Sequence, residues 1–373
     1  MKLRTSKTEI FKILIKQQMD IEREIKKIEE ELKKTPYNKA TERHIGKLKA
    51  KLARLKSEAE KQRQKTAKHS FSIRKEGDAT VVMVGFPSVG KSTILNKLTN
   101  ARSEVAEYDF TTLKPTPGML IYKGARIQLI DTPGLIEGAA RGKGRGREIL
   151  NVARIADLIL IVVDVFTVDA IDIIKNELFS SGIRLDSKPP KVVIKKSGMG
   201  GIKVNSPISL SLSEETIIGI LKEFRIHNAE VTILEDLTID RLIDALSANR
   251  VYIPSLTVIN KIDIFEPSAN ATNGAIKISA KYNINLEKLK MEIYNKLKFI
   301  RVYLKPPGNK VEFSKPLILR EGSRILDVCQ KVHKDFINKF KYAKVWGRSV
   351  KFDGQRVGLD HILKDGDIVT IYT

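Results

Sequence analysis

The sequence predicts an α/β chain built on a mostly parallel sheet with helices on both faces. A helical hairpin precedes the sheet, a small α+β insert interrupts it, and a small α+β domain follows it. Three observations point there. Short apolar runs at 79–85, 126–131, 158–164, 255–260 and 275–279 read as buried strands. Helical patterns follow several of them, as at 91–100 and 284–297, which is the alternation of a doubly wound sheet. Before the first strand, apolar residues recur instead at threes, fours and sevens.

That first segment, residues 1–75, reads as two helices. Leu14, Ile21, Ile25, Ile28 and Leu32 line one, and Ile45, Leu48, Leu52, Leu55 and Ala59 line the other. Between them, Thr35-Pro36-Tyr37-Asn38 offers a capping Thr, a Pro suited to a first helical turn and a turn-forming Asn. Two antiparallel helices of roughly 25 residues make a rod on the order of 40 Å long. The segment carries 23 basic and 10 acidic side chains. Two readings stay open: a coiled-coil hairpin that pairs with itself or the body, its charges solvated, and a basic arm laid along nucleic acid.

Charge separates the ends from the middle. The 373 residues hold 67 Lys and Arg against 44 Asp and Glu, a net of +23, which favours an anionic partner, nucleic acid first. Residues 301–373 carry 15 basic and 8 acidic groups, whereas residues 76–300 are nearly balanced at 29 against 26. The one cysteine, Cys329, excludes an internal disulfide framework and a multi-cysteine zinc site, and implies a reducing, cytoplasmic setting. The basic N-terminus lacks the apolar core of a signal peptide, and the most apolar stretch, 158–163, is short and bracketed by Asp157 and Asp164, so no membrane role is expected. His44, His69, His227, His333 and His361 show no metal-ligand spacing. Cys329 falls in a helical apolar pattern and reads as inert, and Trp346 reads as a packed core residue rather than a base-stacking platform.

The chemistry concentrates at strand ends. Gly85, Phe86, Pro87, Ser88, Val89, Gly90, Lys91 and Ser92, with Thr93 opening the helix, form a G-x4-G-K-S phosphate loop between a strand and a helix. Its glycines let the backbone wrap an anion while N–H groups at the helix start face phosphate oxygens. Lys91 reaches the β- and γ-phosphates, and the Ser92 hydroxyl ligates Mg²⁺. Asp131-Thr132-Pro133-Gly134 closes the next strand, with Asp131 holding magnesium through water and the Gly134 N–H sensing the γ-phosphate. In the preceding loop, Phe110-Thr111-Thr112-Leu113 supplies a switch threonine that can cap the magnesium; of the duplicated pair, Thr112 is chosen. Lys91, Thr112 and Gly134 are therefore the catalytic candidates.

Base identity comes from Asn260-Lys261-Ile262-Asp263 at the end of another apolar run. The Asp263 carboxylate can accept from guanine N1–H and the exocyclic amine, a donor pair adenine lacks, and leaving it unpaired is costly. Ser279-Ala280-Lys281, after the following strand, supplies a backbone N–H for the guanine oxygen. Four motifs in this order, each at a strand end, specify a P-loop GTPase that binds GTP and GDP. From Asp131 to Asn260 is 129 residues, about 65 more than the alternating elements of such a domain require. The excess reads as strand 191–196, strand 208–212, helix 214–224, strand 229–234 and helix 238–247. The expected domains are a basic hairpin (1–75), a GTPase domain in two parts (76–183 and 247–300), an inserted α+β subdomain (184–246) and a C-terminal domain (301–373). The Pro/Gly stretch at 305–310 marks the last boundary, with one helix, 323–340, beyond it.

GFPSVGKST, YDFTTL, DTPGLIEGAARGKGRGRE, EFRIHNAEV, NRVYIP and NKID together resemble the developmentally regulated GTP-binding proteins of the Obg superfamily. NKATERHIGKLKAKLARLK is similar to that family's helical hairpin, and KYAKVWGRSVKFDGQRVGLDHILKDGDIVTI resembles its β-grasp, ubiquitin-like TGS domain. The resemblance runs from about residue 8 to the end. It implies a cytoplasmic GTPase that associates with ribosomes, through rRNA or tRNA, and assists translation. It also implies an insert resembling the second domain of a small-subunit ribosomal protein, and a dedicated protein partner that stabilises eukaryotic members.

In many GTPases the residue after D-x-x-G is a Gln that orients the attacking water. Here it is Leu135, so slow intrinsic hydrolysis is expected. Related GTPases with an apolar residue there often use potassium, K⁺, held partly by a phosphate-loop Asn, a position occupied here by Ser88. Arg141, Lys143, Arg145 and Arg147 follow the switch region and read either as an RNA-contacting or transition-state arginine loop or as a solvated segment. The alternative to a hydrolytic switch is a nucleotide-tuned RNA-binding adaptor in which hydrolysis is incidental.

Overall fold

A computed structural model describes residues 7–66, 74–99, 116–132, 146–265, 274–308, 310–333 and 335–373. The chain divides into two units, the residues up to 70 with 187–252, and 71–186 with 253–373. It begins with helices α1 (Lys7–Lys34) and α2 (Glu42–Thr66), joined by the turn expected at Thr35–Asn38. The Thr41 hydroxyl donates to the Pro36 carbonyl at 2.7 Å, and its N–H donates to Asn38 Oδ1 at 2.9 Å, which closes that turn.

The second unit opens with β1 (Ala79–Val84), α3 (Lys91–Leu98), β2 (Thr116–Tyr122), β3 (Ala125–Asp131), α4 (Gly146–Arg154), β4 (Leu158–Asp164), α5 (Ala170–Ser180) and the short β5 (Ile183–Leu185). The chain then enters the first unit through β6 (Val192–Lys196), β7 (Ile202–Asn205), α6 (Glu214–Glu223), β8 (Ala229–Ile233) and α7 (Ile239–Leu246). After β9 (Val251–Ile253) come β10 (Ser255–Asn260), β11 (Ile276–Lys277) and α8 (Leu286–Lys296). The last elements are β12 (Phe299–Leu304), β13 (Leu317–Arg320), α9 (Ile325–Val332), α10 (Asp335–Asn338), β14 (Tyr342–Trp346), β15 (Gln355–Val357) and β16 (Ile368–Tyr372).

The main sheet runs β11-β10-β4-β1-β3-β2, parallel throughout except for β2. Strands β1 and β4 are buried on both sides, which explains why they read as apolar runs. Alternate residues Val81, Met83, Leu129, Leu160 and Val162 share a core with Ile94 and Leu98 of α3 and Leu289 and Ile293 of α8. The intervening Val82, Val84, Ile159 and Ile161 are equally buried, and α4 and α5 pack on β1 and β4. Because every strand but the edge one is parallel, the C-terminal ends of β1, β3, β4 and β10 open on one rim, where the predicted motifs lie.

In the same unit a second sheet runs β13-β12-β16-β14-β15. It starts at Phe299, ahead of the Pro306-Pro307-Gly308 stretch read as the boundary; that stretch lies inside the domain, between β12 and β13. The single helix expected over 323–340 is two. His333 adopts an extended backbone (φ −167°, ψ 138°), and its Nδ1 accepts the Asp335 N–H at 3.3 Å, which ends α9 and opens α10. One face of the sheet, with Val302, Ala343, Val345 and Val369, packs on Ile325, Val328 and Cys329 of α9. Burial pushes the Cys329 thiol up, as fits an inert core residue. Trp346 departs from expectation: it alternates with the core residues Ala343 and Val345 and stands half-buried on the opposite face.

The first unit joins the hairpin and the insert around one core. Strands β6, β8 and β7 form a sheet that buries Val231 and Ile233 against Ile217, Ile220 and Leu221 of α6 and Leu242 and Ile243 of α7. Ile45 and Ala50 of α2 belong to that core. The expected seam explains Ile28, Leu55 and Ala59, all buried. The small residues Gly46, Ala50 and Ala53 make a second face that lets α2 approach α6 closely: a Cβ on Gly46 would sit 3.3 Å from Ile220 Cδ1. Cations of α2 find partners here too, with Lys49 on Asp240 at 2.8 Å, Arg43 on Glu215 at 3.0 Å and Lys56 on Glu29 at 2.9 Å.

The insert's second strand is not the expected 208–212. Strand β7 lies at 202–205, and 208–212 is irregular. The Ser211 N–H donates to Asp236 Oδ1 at 2.8 Å and Leu212 enters the core, so a loop meets the needs that apolar alternation ascribes to a strand.

Candidate functional site

The phosphate loop leaves β1 at Gly85, where a Cβ would fall 2.1 Å from the Val162 carbonyl of β4, so only glycine lets the loop cross there. Ser88 (φ 63°) and Gly90 (φ 95°) adopt left-handed backbone, the curvature that turns successive N–H groups toward one point. A Cβ on Gly90 would also lie 2.3 Å from Asn260 Nδ2. Lys91 opens α3, buried, with its ammonium donating to the carbonyls of Gly85 at 3.1 Å and Phe86 at 2.9 Å. Burial lowers its pKa, against the pull of Asp131.

Asp131 ends β3 facing the start of α3. One carboxylate oxygen accepts a short hydrogen bond from the Ser92 hydroxyl. The other, Oδ1, is buried with no hydrogen-bond partner among the described residues. Burial pushes the Asp131 carboxyl up, against the Ser92 hydrogen bond and the Lys91 ammonium. A lone buried carboxylate oxygen beside a hydroxyl and a phosphate loop is a donor set for a hard divalent cation, so the residues present fit magnesium. The adjacent Thr132 hydroxyl donates to the Met83 carbonyl at 2.7 Å and locks the end of β3 to β1.

The Asn260–Asp263 motif folds back on this loop. Asn260 is buried; its Nδ2 donates to the Val89 carbonyl at 3.0 Å and its Oδ1 accepts the Ala280 N–H at 3.0 Å. One carboxamide thus braces the phosphate loop and the Ser279–Lys281 turn together. Lys261, at φ 65°, donates to the Ser88 carbonyl at 2.9 Å and to Asp164 Oδ2 at 2.7 Å. Asp263 is exposed, and no described residue pairs with its carboxylate. Ser279 is fully buried and its hydroxyl accepts the Tyr282 N–H at 3.3 Å. Ala280 gives its N–H to Asn260, and the Lys281 ammonium lies 5.0 Å from the Tyr282 ring centre.

The structure therefore brings Gly85–Thr93, Asp131, Asn260, Lys261, Asp263 and Ser279–Lys281 to one rim. Thr111, Thr112, Gly134, Leu135, Arg141, Lys143 and Arg145 lie outside the described residues, as does the Arg147 side chain. Sequence reasoning missed Asp164. Burial alone would raise its carboxyl, but the Lys261 and Thr167 side chains and the Phe166 N–H hold it below the usual carboxylate range. Its signal was visible as an acid closing the fully apolar β4. Also missed were Phe166 and Phe265, exposed rings in a T-shaped pair 5.6 Å apart, one after β4 and one two residues past Asp263.

Comparison with known proteins finds GTP-binding proteins along nearly the whole chain. Residues 80–196 match the model of a 50S ribosome-binding GTPase, residues 199–299 that of the same domain's C-terminal region, and residues 300–373 that of the TGS domain. An uncharacterized GTP-binding protein of Methanocaldococcus jannaschii is 54% identical over 363 residues, 95% of this chain and 93% of its own. Developmentally-regulated GTP-binding protein 1 of Xenopus laevis is 44% identical over 357 residues, 93% of this chain and 97% of its own. Among solved structures, the YchF GTPase of Schizosaccharomyces pombe aligns over 82% of this chain and 100% of its own, at 13% identity and a TM-score of 0.42.

Proposed function

This chain belongs to the family of developmentally regulated GTP-binding proteins and is a GTPase, and from that premise we propose that GTP hydrolysis gates its binding to the ribosome or ribosome-bound RNA. The observation that carries the nucleotide chemistry is the meeting of Lys91, Ser92 and the unpartnered Asp131 Oδ1 at the phosphate loop. Lys91 exchanges the Gly85 and Phe86 carbonyls for β- and γ-phosphate oxygens, which restores the charge that burial opposes. Ser92 directly, Asp131 through water, and Thr112 would hold magnesium, which when bound offsets the charge developing on the phosphate oxygens. Asp263 accepts the two guanine donors, and Asn260 keeps that reader in register with the phosphate loop. The Gly134 N–H senses the γ-phosphate, whose departure on hydrolysis releases the Thr112 segment.

Leu135 offers no group to orient water, so intrinsic turnover is slow and is raised by potassium, ribosome contact or both. Support for the ribosome comes from the 50S ribosome-binding GTPase that residues 80–196 match and from the basic balance of the hairpin and TGS domain. The same leucine favours a second reading, an RNA-binding adaptor that GTP orders and whose hydrolysis is incidental. Multiple-turnover GTPase assays with and without ribosomes, in potassium and in sodium at matched ionic strength, separate them. Stimulation by ribosomes supports the gate, and tight GTP-dependent binding without stimulation supports the adaptor. Equal rates in the two salts remove potassium. A stabilising protein partner, if this chain has one, appears as a co-purifying subunit that raises its thermal midpoint.

A further inference from the structure

The outer face of the C-terminal sheet carries an ordered set of rings and cations that the nucleotide site does not use. On this face Tyr342 of β14 stands opposite Tyr372 of β16, while Arg356 of β15 stands opposite Lys344 and reaches diagonally to the Tyr342 ring. The guanidinium lies 4.6 Å from the Tyr342 ring centre, and the two tyrosine rings stack at 4.6 Å with planes 18° apart. Lys344 sets its ammonium 5.7 Å from the Tyr372 ring, and Lys305 sets its own 4.9 Å from Trp346. Tyr303 and the exposed Phe313 form a T-shaped pair at 5.0 Å beside them. The other outward positions of β14 to β16 hold no acid, only Ile368 and Thr370.

The face stays partly exposed for a topological reason, with Thr370 at its centre buried and its hydroxyl donating to the Lys305 carbonyl at 2.7 Å. At β12 and β13 the same side of the sheet is covered, since Phe299 and Ile318 enter the core of the GTPase domain. β12 pairs with β16 only at Tyr303 and Leu304, opposite Ile368 and Val369, so Tyr372 stands three residues beyond the last pair. The Tyr342–Tyr372 stack is therefore continuable past the edge of its neighbour. A contiguous row of rings on a sheet whose other face already supplies the core is surplus to folding.

We propose that this face binds single-stranded RNA, with bases stacking on Tyr372 and Trp346 and phosphates meeting Lys344, Lys305 and Arg356. The inference rests on the RNA-associating part of the function proposed above and gives it an address. Flat rings accept any base, and lysines already standing over those rings need only swing their flexible stems to reach a phosphate. A duplex hides its base faces and offers no stacking partner. An acidic peptide would satisfy the cations but would leave the stack unextended.

Trp346 is the one tryptophan of the chain, so intrinsic tryptophan fluorescence reports this face alone. The full-length protein is titrated with a mixed-sequence RNA of about 12 nucleotides, within the range one such platform covers, with binding followed separately by anisotropy of an end-labelled copy. Saturable quenching by the single strand, with little by the same sequence as a duplex, is the expected result. Tyr372→Ala and Tyr342→Ala should each weaken the labelled strand by about tenfold while leaving GTP affinity unchanged. Anisotropy binding without tryptophan quenching overturns the placement and leaves the RNA reading intact. Absence of binding to either RNA, and to ribosomes, overturns both. Equal quenching by polyglutamate overturns stacking and marks a surface for acidic protein.

Discussion

The Asn260 carboxamide lies 3.0 Å from the Val89 carbonyl, so the strand end proposed to read the base is tied to the phosphate loop. Its other end takes the Ala280 N–H. Asn260→Ala strands both groups in a buried site, at about 1–3 kcal/mol. GTP and GDP affinities should fall together, on the order of 10- to 100-fold, because the substitution loosens the loop that both nucleotides share and leaves the γ-phosphate sensor untouched. Fluorescent-nucleotide titration checks this, and a drop confined to GTP would contradict a bracing role.

Asp263 presents an exposed carboxylate that no described residue engages. Asp263→Asn keeps one acceptor for the guanine N1–H but sets an amide N–H against the exocyclic amine. GTP affinity should fall by on the order of 100-fold or more, and xanthosine triphosphate, with an oxygen at that position, should now bind. Competition between the two nucleotides measures the exchange.

That the described motifs meet at one rim was legible because each closes an apolar run, and a parallel sheet brings such ends together. What stayed illegible depended on packing between distant segments. The alternation Tyr342-Ala343-Lys344-Val345-Trp346 marks two faces, yet nothing local says that the face with the tryptophan stays partly exposed. The alternating residues at 208–212 imitate a strand whose hydrogen bonds Asp236 takes instead. Gly46, Ala50 and Ala53 of α2 look like mere dilution of a heptad until α6 lies against them.

Burial pushes the Asp131 carboxyl up from its ordinary value of 3.8. A raised carboxyl costs stability wherever it is ionised in the folded state, above its folded pKa, and the cost fades as pH falls toward the ordinary value. Without nucleotide, Asp131→Asn should therefore melt higher at neutral pH, by on the order of 2 °C, and the gap should close as the pH is lowered. The same variant should lose the magnesium dependence of GTP binding. Melting curves from neutral to acid pH test the first statement, since a gap that widens on acidification contradicts the sign.

Gly46 shows where two effects nearly cancel. Alanine there gains helix propensity of about 1 kcal/mol, while its Cβ would press on Ile220 Cδ1 and Thr216 Cγ2 at 3.3 Å. Gly46→Ala should be close to neutral. Gly46→Leu has no such balance and should cost at least about 1–3 kcal/mol by forcing α2 off α6. Thermal midpoints of the two variants decide it, and equal midpoints would mean that the helices separate freely.

Deleting the hairpin is a poor test of whether its charge meets RNA, because deletion bares Ile217, Ile220 and Leu221 as well as removing lysines. Arg43, Lys49, Lys51 and Lys56 already have carboxylate partners. Lys26, Lys27, Lys33 and Lys34 are exposed and make no ion pair among the described residues. Replacing these four with alanine keeps the α2–α6 packing and removes only free charge. If they meet phosphate, the slope of log affinity for ribosomes against log salt should shallow by about 0.7–0.9 for each phosphate no longer neutralised. Replacing Lys49 and Lys56 should leave the slope unchanged. A slope unmoved by the fourfold variant places the hairpin outside the RNA interface and leaves it as a wall of the inserted domain's core.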